Sequence, residues 1–198
     1  MKVLTHFILW SFGLAKPWTW YSEEECAALE RYAKGKRRLI EIGCWQGVNT
    51  ARLRGAMHEK GELYAIDPYR PGRLGFNASK IIAHQTVSHL QKGKIHWLQM
   101  TDLEAADYFL ENKIPPVDFI FLDALNSYEG LQASTDAWHS HLCVGGILAI
   151  ANSHSSRNKV LNAGSVRYTD TVLLKNPNYK LLEQPGCFTV LQKVSDAS

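Results

Sequence analysis

Two glycines and a distant acid carry the strongest chemical signal in the sequence. Gly43 and Gly47 follow the apolar run Leu39–Ile42, and Asp67 ends the next apolar run along the chain. Glycines let a backbone approach a ligand closely and turn sharply into a helix. An acid at the end of a second strand can accept hydrogen bonds from both hydroxyls of a ribose. These residues predict a nucleoside site, although Asp67 before Pro68 would also fit a simple turn.

The elements that must position these residues alternate between strand and helix. Apolar runs predict strands over 39–42, 62–67, 94–99, 117–123 and 146–151, and helices are predicted over 22–33, 49–58, 79–92, 104–112 and 130–141. Two further strands, 179–184 and 187–193, form a hairpin that turns at Pro185-Gly186. This order predicts one α/β domain with a mostly parallel, seven-stranded sheet, helices on both faces and an antiparallel hairpin at its C-terminal end. Ligands of such sheets bind at the carboxyl ends of the strands.

Four segments together resemble the motifs of class I SAM-dependent methyltransferases (SAM, S-adenosylmethionine). They are Glu41-Ile42-Gly43-x-x-x-Gly47, Ala65–Tyr69, Asp118–Asp123 and Val144–Ile150, the last with Val144 where the family has proline. The resemblance covers about residues 22–193 and implies a Rossmann-like class I methyltransferase fold. It also implies SAM as the methyl donor and S-adenosylhomocysteine (SAH) as the product. An NAD-dependent oxidoreductase is disfavoured, because a dinucleotide site would show the spacing G-x-G-x-x-G.

The resemblance also assigns the residues that would bind SAM. Thr101 and Asp102 end the third strand, in the region that contacts adenine in the family, and a helix cap is the alternative role for them. The full predicted cofactor-binding set is Glu41, Gly43, Cys44, Trp45, Gly47, Asp67, Thr101, Asp102 and Asp123.

Within this superfamily, residues 123–131 resemble small stand-alone enzymes, many of them O-methyltransferases of natural products, with the signature D-x-D-H-S-Y-E-G. In these relatives the acids of this segment and of the segment after the fifth strand hold a divalent cation or serve as a base. The present chain departs from the pattern at four positions, Leu125, Asn126, Ala151 and Asn152. A hard cation such as magnesium needs several oxygen ligands, mainly carboxylates. We therefore predict no metal site and a metal-independent reaction.

Catalysis would take place where the fourth and fifth strands end. Transfer to a neutral alcohol needs a base near the reacting oxygen. His154 is the local candidate for that base, beside Asp123 and Asn152, and a solvated loop histidine is the alternative. An acceptor bound above Asp123 would meet a floor with few charges, made in part by Leu125 and Ala151. This floor favours a small, largely apolar or aromatic acceptor.

Aromatic residues crowd the N-terminal segment, residues 1–21, which precedes the methyltransferase domain predicted over 22–198. They are Trp10, Phe12, Trp18, Trp20 and Tyr21. They would form a lid over the acceptor or the contact of a homodimer, and core packing is the default for some of them.

The composition narrows the class of protein further. A net charge of +3 with scattered basic residues does not indicate a nucleic-acid partner, and no run approaches the length of a membrane span. The four cysteines lack metal-ligand spacing and predict free thiols in a reducing cytoplasm, and the first ten residues do not form a convincing signal peptide. Besides an enzyme, the four departures leave open a degenerate SAM-binding or scaffold protein of the same fold.

Overall fold

The sheet is the element that positions the site. The structure is a computed structural model and describes residues 3–72, 75–123, 126–156 and 164–196. Seven strands form one sheet in the order β3-β2-β1-β4-β5-β7-β6. The first five are parallel, and β7 pairs antiparallel with both β5 and β6, which confirms the predicted mixed sheet. The strands are β1 Arg38–Ile42, β2 Glu62–Ile66, β3 Lys94–Leu98, β4 Val117–Leu122, β5 Leu142–Ile150, β6 Tyr179–Glu183 and β7 Thr189–Lys193.

Helices cover both faces of the sheet, as predicted. They are α1 Val3–Ser11, α2 Glu23–Ala33, α3 Val48–Ala56, α4 Ala78–Ser88, α5 Asp102–Glu111, α6 Tyr128–His139 and α7 Gly164–Thr171, followed by a short 3-10 turn at Leu173–Lys175. Buried side chains of α2 and α3 pack on one face, and those of α5, α6 and α7 pack on the other. Among the described residues, no helix is long and apolar enough to cross a bilayer.

Local capping explains where two of the helices begin. Ser22 accepts a hydrogen bond from the backbone of Glu25, whose carboxylate returns to Ser22, and three acids in this first turn suit the positive end of the helix. Thr101 and Glu104 form the same reciprocal pair at the start of α5. The first of these caps confirms the predicted start of α2, and both fix residues that border the candidate site.

The structure differs from the sequence prediction at several elements, and helix α4, for example, ends at Ser88 rather than at residue 92. Strand β5 begins at Leu142 rather than at residue 146, because an irregularity in its pairing with β4 accommodates the extra residues. Helices α1 and α7 were not predicted. Leu125, expected in the apolar floor, lies outside the described residues.

Candidate active site

A cavity of about 730 Å³ opens at the carboxyl ends of the parallel strands. It lies where β1 and β4 are neighbours, the point at which the strand order reverses and where open α/β sheets bind ligands. Its volume falls within the range of roughly 300–1,000 Å³ that is typical of small-molecule sites. The described residues that line it are Trp20, Tyr21, Ile42, Gly43, Trp45, Ile66, Asp67, Pro68, Met100, Thr101, Asp102, Asp123, Asn126 and Asn152.

Asp67 is held in a fixed orientation at the edge of this cavity. Its Oδ2 accepts hydrogen bonds from the backbone N–H groups of Cys44 at 3.1 Å and Trp45 at 3.0 Å, and its Oδ1 accepts one from Tyr69 at 2.9 Å. Trp45 and Tyr69 both have positive φ angles, 46° and 39°, which non-glycine residues rarely adopt. Such strain is tolerated where a site requires a particular geometry. The carboxylate is therefore preorganised and retains lone pairs for a ligand.

The two glycines of the loop have different roles. Gly43 has φ 91° and lines the cavity, where its backbone can approach a ligand. Gly47 is not among the described lining residues; it starts α3 with φ 76°, and a Cβ built on it would lie 2.8 Å from the Cα of Ala83 in α4. From the sequence, both glycines were expected to let the backbone approach a ligand and to allow the turn into the next helix. The structure supports the turn at Gly47 and shows that α4, a helix distant in sequence, is what excludes a side chain there.

Glu41 lies on β1 just before the loop and Cys44 lies within the loop, and neither is among the described lining residues. Glu41 is fully buried, and neither of its carboxyl oxygens has a hydrogen-bond partner among the residues described. Burial, followed by the negative charge of Asp123, raises the pKa of Glu41 to about 8. The nearby Thr50 hydroxyl acts in the opposite direction and lowers the pKa of Glu41, although the two groups do not form a hydrogen bond of normal geometry. Burial also raises the pKa of the Cys44 thiol. Cys44 bonds to Asp67 through its backbone N–H and not through its sulfur.

Thr101 and Asp102 both line the cavity, but only one of them is the helix cap. Thr101 is the N-cap of α5, and Asp102 is the first helical residue. The Oδ2 atom of Asp102 is buried and has no hydrogen-bond partner in the described part of the chain. A buried acceptor in this state calls for a donor. The capping role therefore belongs to Thr101 and leaves the side chain of Asp102 for a ligand.

Asp123 and Asn152 are brought together by the ends of β4 and β5, and a third residue joins them. The Tyr21 hydroxyl donates a hydrogen bond to Oδ1 of Asp123, and the Asn152 amide lies 3.5 Å from the Tyr21 oxygen. Burial, and then the charge of Asp123, raise the pKa of Tyr21 far above its ordinary value. From the sequence, Tyr21 was expected in an aromatic lid, a dimer contact or the core, since no local pattern links two residues so far apart in the chain.

His154 lies farther along the same loop and is not among the described residues that line the cavity. Its backbone N–H donates to the carbonyl of Cys187 at 3.2 Å. Its predicted role as the base stays a prediction. Within the described ranges, no group of three or more histidine, cysteine, aspartate or glutamate side chains could hold a metal ion.

The N-terminal segment is anchored to the glycine loop. The buried Gln46 accepts a hydrogen bond from the backbone of Trp18 at 2.7 Å, and its amide lies 3.3 Å from Nδ1 of His6 in α1. Trp20 stacks on Trp45 with ring centroids 5.6 Å apart, and both rings line the cavity. The end of the aromatic segment therefore forms one wall of the site.

The strand order defines a Rossmann-like fold, and the cavity lies where such open α/β sheets bind ligands. Comparison with known proteins gives the family directly, because residues 40–153, more than half of the chain, match a family described as a methyltransferase domain. The chain belongs to this family. Among curated proteins, no sequence is similar enough to count as a relative.

Solved structures share the fold at low sequence identity. A protein from Corynebacterium glutamicum superposes with a TM-score of 0.69 at 17% identity, covering 98% of this chain and 90% of that one. The O-methyltransferase TomG from Streptomyces achromogenes, in complex with SAM, gives 0.64 at 18% identity, with coverage of 98% and 91%. An O-methyltransferase from Bacillus cereus, in complex with SAH, gives 0.63 at 15% identity, with coverage of 98% and 89%. At these identities the likeness establishes the fold.

Proposed function

We propose that the protein transfers a methyl group from SAM to a small, largely apolar or aromatic acceptor, with a hydroxyl oxygen as the methylated atom. The observation that carries the cofactor assignment is the Asp67 carboxylate, held by three backbone N–H groups at the end of β2 and lining the cavity. In this position it would accept hydrogen bonds from the ribose hydroxyls. Complexes of structural neighbours with SAM or SAH support the same cofactor.

The other predicted cofactor residues take roles that follow from their positions. Gly43 lets the backbone approach the methionine part of SAM, and Asp102 offers an acceptor for the adenine amino group. Three of the predicted residues would shape the loop rather than contact the ligand, namely Glu41, Cys44 and Gly47.

The acceptor would bind beside Asp123 and Asn152, against the stacked rings of Trp20 and Trp45. Aromatic walls of this kind suit a flat, apolar ligand, and proximity to the methyl group can supply much of the rate. Mass spectrometry with isotopically labelled SAM and a panel of aromatic alcohols, amines and thiols tests this directly. Labelled product supports the proposal, and transfer confined to amines or thiols would contradict the assignment of oxygen.

The reaction would proceed without a divalent metal. Among the described lining residues that end β4 and β5, Asp123 is the one carboxylate, with the amides Asn126 and Asn152 beside it. Asp123 also already accepts the Tyr21 hydroxyl, so the donor set does not fit a hard cation that prefers several carboxylates. Turnover should survive dialysis against EDTA. Loss of activity with EDTA, restored by magnesium, would overturn this part of the proposal.

A degenerate SAM-binding scaffold is the second candidate, favoured by the amides at Asn126 and Asn152, where related enzymes carry histidine and aspartate. It predicts SAM binding without transfer to any acceptor. No disulfide forms among Cys26, Cys44, Cys143 and Cys187 in the described part of the chain, which suits the proposed cytoplasmic location. Homodimerisation remains part of the proposal. Size-exclusion chromatography with light scattering tests the dimer.

A further inference from the structure

Tyr21 is fixed in the cavity before any ligand binds. It immediately precedes Ser22, the cap of α2, and Glu25 accepts hydrogen bonds from the Ser22 backbone at 2.6 Å and from the Cys187 backbone at 2.8 Å. Burial alone would raise the pKa of Glu25, but these hydrogen bonds outweigh it and hold the pKa below its ordinary value. The Glu25 carboxylate therefore stays charged and keeps its bonds to Ser22 and Cys187. The Tyr21 ring also packs edge-on against Phe188, with centroids 4.6 Å apart.

The hydroxyl of Tyr21 is committed as a donor but retains acceptor capacity. A phenol has one hydrogen and two oxygen lone pairs. Its hydrogen points to Asp123, and one lone pair faces the Asn152 amide at the long distance of 3.5 Å. The second lone pair can accept a hydrogen bond from a ligand in the cavity that Tyr21 lines.

We propose that Tyr21 and Asp123 form a proton relay for a neutral hydroxyl acceptor, an inference that rests on the proposed methyl transfer. The acceptor O–H donates to the Tyr21 oxygen, while the Tyr21 O–H donates to Asp123. Tyr21, not His154, is then the residue that contacts the reacting oxygen.

The step balances in atoms and charge. The acceptor oxygen forms a bond to the methyl carbon, the carbon–sulfur bond breaks, and its electron pair stays on sulfur to give SAH. The acceptor proton moves to the Tyr21 oxygen as the Tyr21 proton moves to Oδ1 of Asp123. The positive charge of the sulfonium and the negative charge of the carboxylate disappear together, and Asp123 later returns its proton to water.

The raised pKa of Tyr21 is consistent with a relay and not with a resident phenolate. A relay needs Tyr21 to be protonated at the start, with Asp123 as the final proton acceptor. General-base assistance of this kind contributes about 10²–10⁴ in rate. Its benefit falls as the acceptor becomes more acidic, because an acceptor that is already ionised needs no base.

The test uses phenols of increasing acidity: phenol, para-chlorophenol and para-nitrophenol. In Tyr21→Phe, turnover of phenol should fall by about 10²–10⁴, the loss should shrink for para-chlorophenol, and it should nearly vanish for para-nitrophenol. Asp123→Asn should follow the same trend. Tyr108→Phe, which removes a hydroxyl from α5 at a residue that is not among the described lining residues, is the matched control and should have the activity of the parent chain.

Three outcomes would overturn the relay. An equal loss in Tyr21→Phe for all three phenols would mean that Tyr21 only positions the acceptor. Full activity in Tyr21→Phe, with a loss in His154→Ala, would assign the base to His154. SAM binding by calorimetry with no transfer to any phenol would also contradict it, whereas failure to bind SAM at all would instead refute the proposed function.

Discussion

Asp67 has two structural duties at the scale of a single residue. It orients the glycine loop through the N–H groups of Cys44 and Trp45, and it presents its carboxylate to the cavity. The sequence could predict the second duty from the position of an acid after β2. It could not predict the first, because the three N–H donors depend on unusual backbone angles at Trp45 and Tyr69.

Asp67→Ala should weaken SAM binding by about 1.5–3 kcal/mol, the usual value of a hydrogen bond to a charged group. Isothermal titration calorimetry measures the change. Asp67→Asn is the informative comparison, since it keeps an oxygen acceptor but removes the charge, and should lose less. Unchanged SAM affinity in a folded Asp67→Ala chain would remove the ribose role.

Glu41 should make the stability of the protein depend on pH. Its pKa is raised from 4.5 to about 8 by burial, so the folded chain holds a proton that the unfolded chain has released. The stabilisation is complete below about pH 4.5 and is lost as the pH rises towards 8, by about 1.4 kcal/mol per unit of difference between the two pKa values.

Replacing Glu41 with glutamine should remove this dependence. In urea unfolding, Glu41→Gln should gain stability relative to the parent chain as the pH increases from about 5 to about 8. Glu111→Gln, a change at an exposed residue at the end of α5, is the matched control and should show no such trend. A constant difference between Glu41→Gln and the parent chain across this range would mean that Glu41 is ionised in the folded state.

At the scale of elements, the contact of the glycine loop with α4 determines which residue can occupy position 47. Gly47 has a left-handed backbone and, unlike Gly35, has no room for a side chain. A Cβ on Gly35, which has φ 73°, would meet nothing within 4 Å among the described atoms, whereas one on Gly47 would meet the backbone of Ala83.

The pair Gly47→Ala and Gly35→Ala separates these two costs. Both should lose about 1–2 kcal/mol for the left-handed backbone, and Gly47→Ala should lose a further ~1–3 kcal/mol from crowding. Urea unfolding measures both variants under the same conditions. Equal losses would show that α4 moves away freely and that the contact does not constrain the loop.

The elements also show what sequence patterns can predict. Strand β4 could be predicted because the run Phe119–Leu122 is apolar on both faces and buried in a parallel sheet. Helices α1 and α7 were not predicted, because both contain β-branched residues and α7 begins with a glycine, residue types of low helix propensity. Helix α1 depends on long-range contacts, including the stacking of His6 on Trp18 and the Gln46 hydrogen bonds.

At the scale of the whole molecule, the site combines the N-terminal segment with residues at the carboxyl ends of the parallel strands. The N-terminal segment supplies Trp20 and Tyr21, and the sheet supplies Asp67 and Asp123. The part of the site at β1 and β2 could be predicted from the sequence, because Gly43 and Asp67 each directly follow the strand that positions them. The Tyr21–Asp123 pair was not predictable, because only the fold brings together two residues that are 102 positions apart in the chain.

The most direct test of the account is a calorimetric titration of the full chain with SAM, SAH and NAD. SAM and SAH should each bind at one site per chain, Asp67→Ala should weaken the binding of both, and NAD should give no heat of binding. Binding of NAD without binding of SAM or SAH, or SAM binding that is unaffected by Asp67→Ala, would contradict it.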